Sequence, residues 1–341
     1  MISTVLALAL VFAGATAAPA DAPPAFEDIL KIDFHAHIFD DIPELAPMLE
    51  RTNMRIVDVC TYDKPEYFEL AEQRVEELHT KYGPYIQFCS TFDHTKTQQP
   101  DFAATSIEWL DKSFAAGAVM TKLWKNIGMK YTKDDGQYIL PDDPALDPIY
   151  DHLAKCGKPL LSHCADPIDA WRPLNKKSMH YGYYSKNTEW YVYGRKDVPH
   201  HDDLMAARDN VMAKHPDLMF VAAHLGSLEH DLDALARRLD FFPNMYTDLS
   251  ARVYVLRQMP LNKVHDFIVK YQDRILYATD ADKFTPQGLT QQEREEFVAG
   301  LEKAYRNDFD YFVNTVKLPR EALEKIYSKN ALKLAPALAE K

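Results

Sequence analysis

Eight short apolar runs with helical stretches between them constrain this chain more than any other feature. The runs are Ile32–Phe39, Met54–Tyr62, Tyr85–Phe92, Ala118–Lys125, Pro159–Cys164, Met219–Leu225, Asn244–Leu249 and Ile275–Asp280. Each is β-branched or apolar and bounded by turn residues, the pattern of a buried strand. The stretches Glu66–Tyr82, Asp202–His215, Leu228–Leu239 and Lys263–Tyr271 read as helices. Eight strands alternating with helices predict a (β/α)8 TIM barrel of the α/β class. A length of 341 residues and 47% hydrophobic content suit one large core, and the sequence contains neither an internal repeat nor a low-complexity linker.

A barrel of this kind builds its active site at the C-terminal ends of its strands, so the residues closing each run carry the functional information. Strand 1 ends with His35 and His37, two apart and hence on one face of an extended chain. Strand 4 carries Lys122, strand 5 ends with His163, strand 6 with His224 and strand 8 with Asp280. Imidazole is the commonest metal ligand. A single histidine closing a strand is usually a hydrogen-bonded core residue, but four histidines and an aspartate on four strand ends form a metal-type constellation.

The order His-x-His, Lys, His, His, Asp on strands 1, 4, 5, 6 and 8 resembles the amidohydrolase superfamily. Asp33-Phe34-His35-Ala36-His37, Ala223-His224-Leu225-Gly226-Ser227 and Ala278-Thr279-Asp280 are similar to the amidohydrolase-related branch that includes aminocarboxymuconate-semialdehyde decarboxylase, as is the closing Lys325-Ile326-Tyr327-Ser328-Lys329-Asn330-Ala331-Leu332. The likeness spans about residues 30 to 335. It implies one divalent metal, Zn2+ before Mn2+ or Fe2+, held by His35, His37, His163 and Asp280. Such a metal with an open position lowers the pKa of bound water to about 7 and polarises a carbonyl. Asp280 then serves as general base and His224 as acid–base residue. In binuclear relatives the histidine matching His224 binds a second metal and the lysine matching Lys122 is carboxylated to bridge the pair. That covalent change cannot be read from sequence.

Between His163 and His201 the chain runs about 35 residues without a recognisable core element, on the active-site side of strand 5. Trp171, Tyr181, Tyr183, Tyr184, Trp190, Tyr191 and Tyr193 are concentrated there. This aromatic insertion reads as a lid or pocket wall, with a subunit contact as the competing reading. Lys122, Arg172, Trp190, Arg195 and Arg252 are candidate substrate contacts, arginine being suited to a substrate carboxylate or another oxygen-rich group.

Residues 1–20 have no charge, an apolar centre at Val5–Ala13 and small-x-small patterns at Ala15-Thr16-Ala17 and Ala18-Pro19-Ala20. This reads as a secretory signal peptide lacking the usual positive start. The apolar run is short for a membrane span, and no cysteine follows it to carry a lipid anchor. Residues 21–30 read as a short linker and 31–341 as the barrel domain, exported to the periplasm or secreted. Export would permit disulfides, but the pairing of Cys60, Cys89, Cys156 and Cys164 stays open. The net charge of −12 argues against a nucleic-acid partner, which needs a basic footprint. A small molecule is the expected partner, with no stable membrane insertion after signal removal; a homo-oligomer stays open.

Three functions fit. The leading reading is metal-dependent hydrolysis of an amide, ester or lactone in a small oxygen-rich or carboxylated substrate. The alternative is non-oxidative decarboxylation on the same scaffold. A non-catalytic exported metal- or ligand-binding protein is the third.

Overall fold

The computed structural model describes residues 23–62, 64–285 and 288–339. The signal peptide expected at 1–20 lies outside the described residues. Nine parallel strands form the sheet: β1 (Lys31–Ile38), β2 (Met54–Val59), β3 (Ile86–Ser90), β4 (Met120–Leu123), β5 (Leu160–Ser162), β6 (Phe220–Ala222), β7 (Met245–Asp248), β8 (Ile275–Leu276) and β9 (Asp282–Lys283). Neighbours in sequence are neighbours in the sheet from β1 to β8, and β9 pairs with β1. Eight main helices follow the successive strands: α1 (Leu45–Arg51), α2 (Phe68–Tyr82), α3 (Phe102–Ala115), α4 (Asp147–Cys156), α5 (His201–Lys214), α6 (Leu232–Phe241), α7 (Leu261–Tyr271) and α8 (Gln291–Asp310).

The chain after β8 closes the cylinder against β1. Phe34 N donates to Tyr277 O at 3.0 Å, Asp280 N to His35 O at 2.8 Å and His37 N to Ala281 O at 2.7 Å. Of the expected eighth strand, Ile275–Asp280, only Ile275–Leu276 is ladder, and β9 follows beyond it. Asp280 takes a left-handed φ of 62°, and an extended ladder does not run through such a residue. A comparable break shortens the sixth strand, since His224, Leu225, Gly226 and Ser227 are all left-handed. The helix expected from Leu228 begins at Leu232, where the Asp231 side chain caps the N–H groups of Asp233 and Ala234.

Inside the barrel, Ile32, Phe34, Val57, Val59, Met120, Leu161, Val221 and Leu276 form one apolar cluster, joined by Ala331, Leu334 and Leu338 from the C-terminal segment. A larger cluster fills the space between the sheet and its helices. Strand β1 changes register between Asp33 and Ala36: three steps along β1 match two along β2. One extra residue of this kind re-aims the side chains that follow it. Phe34 therefore packs inside the barrel, while the adjacent His35 also faces inward, reaching Asp248 and Lys122.

The aromatic insertion after β5 is built from short helical turns at Ile168–Trp171, Tyr181–Tyr184 and Thr188–Trp190. Among the described residues no helix is long and apolar enough to cross a membrane. Cys60, Cys89, Cys156 and Cys164 are all free, and only Cys156 is exposed.

Candidate active site

His35 and His37 point into the C-terminal mouth of the barrel, and each has its second ring nitrogen fixed from behind. His37 Nδ1 lies 2.7 Å from Val59 O. A carbonyl oxygen only accepts, so Nδ1 carries a proton, which leaves Nε2 as the metal-binding lone pair of the neutral ring. His35 Nδ1 lies 2.9 Å from Asp248 Oδ2, which imposes the same tautomer. The two bare Nε2 atoms face each other at 3.1 Å, and Asp280 Oδ1 stands 3.5 and 3.4 Å from them. Three electron-rich atoms so placed repel one another; the Lys122 ammonium meets one of them, and a metal ion between them would satisfy all three. The edges of this triangle are close to the roughly 3.3 Å expected of one face of a tetrahedral site with N and O ligands at about 2.0–2.1 Å. The donor set thus fits a divalent metal.

Lys122 is buried, and its Nζ donates to His35 Nε2 at 2.8 Å. Burial lowers its pKa to about 8, against the pull of Asp280 and Asp248. Its position at the triangle is also compatible with the bridging role implied for a carboxylated lysine. No nitrogen of His163 lies within 4.8 Å of all three triangle atoms. The His163 ring packs instead at 4.2 Å from that of His224, and its buried Nε2 has no hydrogen-bond partner. It is an orphaned donor atom lining the same cavity.

His224 is delivered by the left-handed turn after β6, with φ 59° and ψ 49°. Each non-glycine residue in this conformation costs about 1–2 kcal/mol. Fixed partners offset that strain: His224 N donates to Asp248 Oδ1 at 2.7 Å, Arg208 Nη1 to Gly226 O at 2.6 Å, and His201 Nε2 to Ser227 O at 3.0 Å. A Cβ on Gly226 would meet Arg208 Nη1 at 3.0 Å. The proton on His224 Nδ1 is directed at Ser250 O, 3.0 Å away. Burial lowers the His224 pKa to about 3, so the imidazole is neutral with Nε2 bare.

Asp248, at the end of β7, was not among the residues singled out from the sequence. It closes the seventh apolar run as His163 and His224 close the fifth and sixth, and that position is the signal that reveals it. Burial pushes its carboxyl up, but the charge and hydrogen bond of His35 outweigh this and hold it well below the carboxylate range.

Above the triangle opens a cavity of about 430 Å3, lined by His37, His163, His224 and Asp280 at its floor and by Trp124, Lys125, Tyr183 and Trp190 on one wall. Lys125 Nζ lies 3.9 Å over the Trp190 ring and donates to buried Asp166 at 2.5 Å. Two of the seven aromatics noted in the insertion, Tyr183 and Trp190, line the cavity. Trp171 and Tyr191 brace the segment internally, bonding Pro199 O and Arg172 O. Arg172 is exposed and outside the cavity lining. Arg195 is paired on the surface with Asp197 at 2.6 Å. Arg252 is buried 3.4 Å from Glu229 and is not part of the cavity lining.

The amidohydrolase family profile matches residues 32–336. The chain belongs to the amidohydrolase family. This amidohydrolase has the fold of 2,6-dihydroxybenzoate decarboxylase from Rhizobium, at 17% identity and a TM-score of 0.54, over 89% of this chain and 98% of that one. It is similar to 5-carboxyvanillate decarboxylase from Sphingomonas paucimobilis, at 12% identity and TM-score 0.51, over 87% and 83% of the two chains. A third similar structure is 4-oxalomesaconate hydratase from Rhodopseudomonas palustris, at 14% identity and TM-score 0.52, over 87% and 80%. At these identities the likeness is one of fold. A search of curated proteins finds no match.

Proposed function

We propose that this amidohydrolase is a metal-dependent decarboxylase acting on a small aromatic or otherwise unsaturated carboxylic acid. The observation that carries the reading is the pairing of two things at one cavity: the His35–His37–Asp280 triangle, which reaches the floor through His37 and Asp280, and a wall of Trp124, Trp190 and Tyr183 with Lys125 beside it. Neighbours of the same fold whose names specify decarboxylation of ring acids favour this reading over the hydrolysis expected first from the sequence.

His35, His37 and Asp280 would hold a divalent cation beside the unpartnered His163 Nε2, and that cation would supply Lewis-acid attraction for substrate oxygens. The remaining work falls to the chain's own groups. Trp190 and Trp124, with ring centroids 6.0 Å apart, present apolar surface to a planar substrate. Lys125 places a cation beside that surface, where it attracts a carboxylate or phenolate. His224 Nε2 takes up a proton from solvent and delivers it to the substrate carbon that loses carbon dioxide, where the C–C bonding pair left behind accepts it. Its depressed basicity keeps His224 neutral until an anionic substrate stands beside it.

The reading is tested with metal-loaded protein on hydroxybenzoates, other unsaturated acids, lactones and esters, following carbon dioxide and substrate together. One carbon dioxide per acid consumed is expected. Turnover of a lactone or ester with no carbon dioxide from any acid would return the assignment to hydrolysis.

A further inference from the structure

We propose a second, peripheral metal site of the zinc type, built from Asp111, His152 and Cys156 on the helical shell. The site is independent of the decarboxylase reading. His152 and Cys156 stand four residues apart on α4, the spacing that places two side chains on one helix face. Asp111 comes from the neighbouring helix α3.

Two of the three donors converge on one nitrogen of the third. His152 Nε2 lies 2.8 Å from Asp111 Oδ1 and 3.5 Å from Cys156 Sγ, and all three ligand atoms lie within 4.8 Å of one another. This convergence separates a metal site from a nucleophilic relay. In a relay the imidazole bonds its carboxylate through one nitrogen and activates the thiol through the other. Here Nδ1 is the more distant nitrogen from the sulfur, at 4.0 Å. A metal centre has the opposite requirement, that the ligand atoms surround one point. With Zn–S near 2.3 Å and Zn–N near 2.05 Å, a tetrahedral N···S edge is about 3.5 Å, which the observed separation matches. The N···O edge opens by about 0.5 Å to reach the same geometry, and Asp111 is exposed enough to move.

Thiolate, imidazole and carboxylate together suit a borderline cation such as Zn2+ rather than Mg2+ or Ca2+, which prefer all-oxygen shells. Binding converts Cys156 from thiol to thiolate and releases one proton to solvent. Cys156 is the last residue of α4, and β5 begins at Leu160. The site therefore lies toward the N-terminal ends of the strands, the face opposite the cavity, where a bound ion would clamp α3 to α4.

Cys60, Cys89 and Cys164 are buried, so a thiol reagent applied to the folded protein reads Cys156 alone. Low-micromolar Zn2+ should slow that labelling at least about tenfold. His152→Ala and Asp111→Ala should abolish or weaken the protection while circular dichroism stays native. Co2+ should give a thiolate charge-transfer absorption that Cys156→Ser removes. Unchanged labelling in Zn2+ overturns the site. So does protection that persists in full in His152→Ala, which would reduce it to capture of the ion by a bare thiol.

Discussion

Asp248 Oδ2 accepts from His35 Nδ1 at 2.9 Å, while the other oxygen of the same carboxylate accepts from His224 N at 2.7 Å. One side chain from β7 thus orients a histidine of the β1 pair and holds the strained turn after β6. Replacing Asp248 by Asn keeps the size and removes the charge that fixes the His35 tautomer. Metal affinity, measured by chelator competition, should fall about 10–100-fold. Unchanged affinity would show that His35 needs no such orientation.

Purified protein should hold about one equivalent of divalent metal at the His35–His37–Asp280 triangle, removable by chelator. Elemental analysis of His37→Ala should show that equivalent lost, and activity lost with it. Two equivalents at this centre, falling to one in Lys122→Ala, would instead support a pair bridged through Lys122. For this count Cys156→Ser serves as the background, so that the peripheral site does not contribute.

His224→Asn should retain the metal and lose at least about a hundredfold in kcat, the scale of general acid–base work. Asn tolerates the left-handed backbone that His224 adopts, so the turn should survive the change. Normal turnover would remove His224 from the proton path.

Trp190→Ala removes both the apolar wall and the ring beneath Lys125 Nζ, 3.9 Å away. A cation–π contact of this kind contributes about 1–2 kcal/mol, so KM should rise roughly five- to thirtyfold with metal content intact. If light scattering shows a changed assembly and the kinetics stay the same, the aromatic segment is a subunit contact instead.

His201 is buried, and burial lowers its pKa to about 4. In the unfolded chain it titrates near 6.5, so between those values the unfolded state binds more protons. The stability held by neutral His201 is therefore full above pH 6.5 and is lost as pH falls toward 4. Glu72 and Asp33, raised by burial to about 7 and about 6, act in the opposite sense over part of this range. The difference between wild type and His201→Gln isolates the histidine. In urea melts from pH 7.5 to 4.5 the wild-type protein should lose on the order of 2 kcal/mol relative to the variant. A constant difference would mean that His201 titrates alike in both states.

Much of the architecture was legible because a parallel strand buried on both faces has to be an apolar run, and each such run in this chain is set off by turn residues. The residue closing each run was legible for the same reason: His163 and Asp280 stand out as polar groups ending apolar sequence. Both belong to the cavity lining, together with His37 and His224. Asp248 met the same criterion and marks how much further that logic extends.

What the sequence by itself determined was the order of strands and helices and the chemistry available at the strand ends, since both follow from local hydrophobic pattern and residue type. Tertiary structure alone decided how those groups meet. The extra residue in β1 turns Phe34 and His35 both inward, against simple alternation. The left-handed turn that aims His224 exists because Asp248 from β7 and Arg208 and His201 from α5 hold it there. Only the folded chain separates Trp190, on the cavity wall, from Arg172 and Arg195, outside it. Each of these outcomes depends on contacts between residues tens to hundreds of positions apart. A pattern read along the chain reports only near neighbours and carries no information about which distant partners close the barrel.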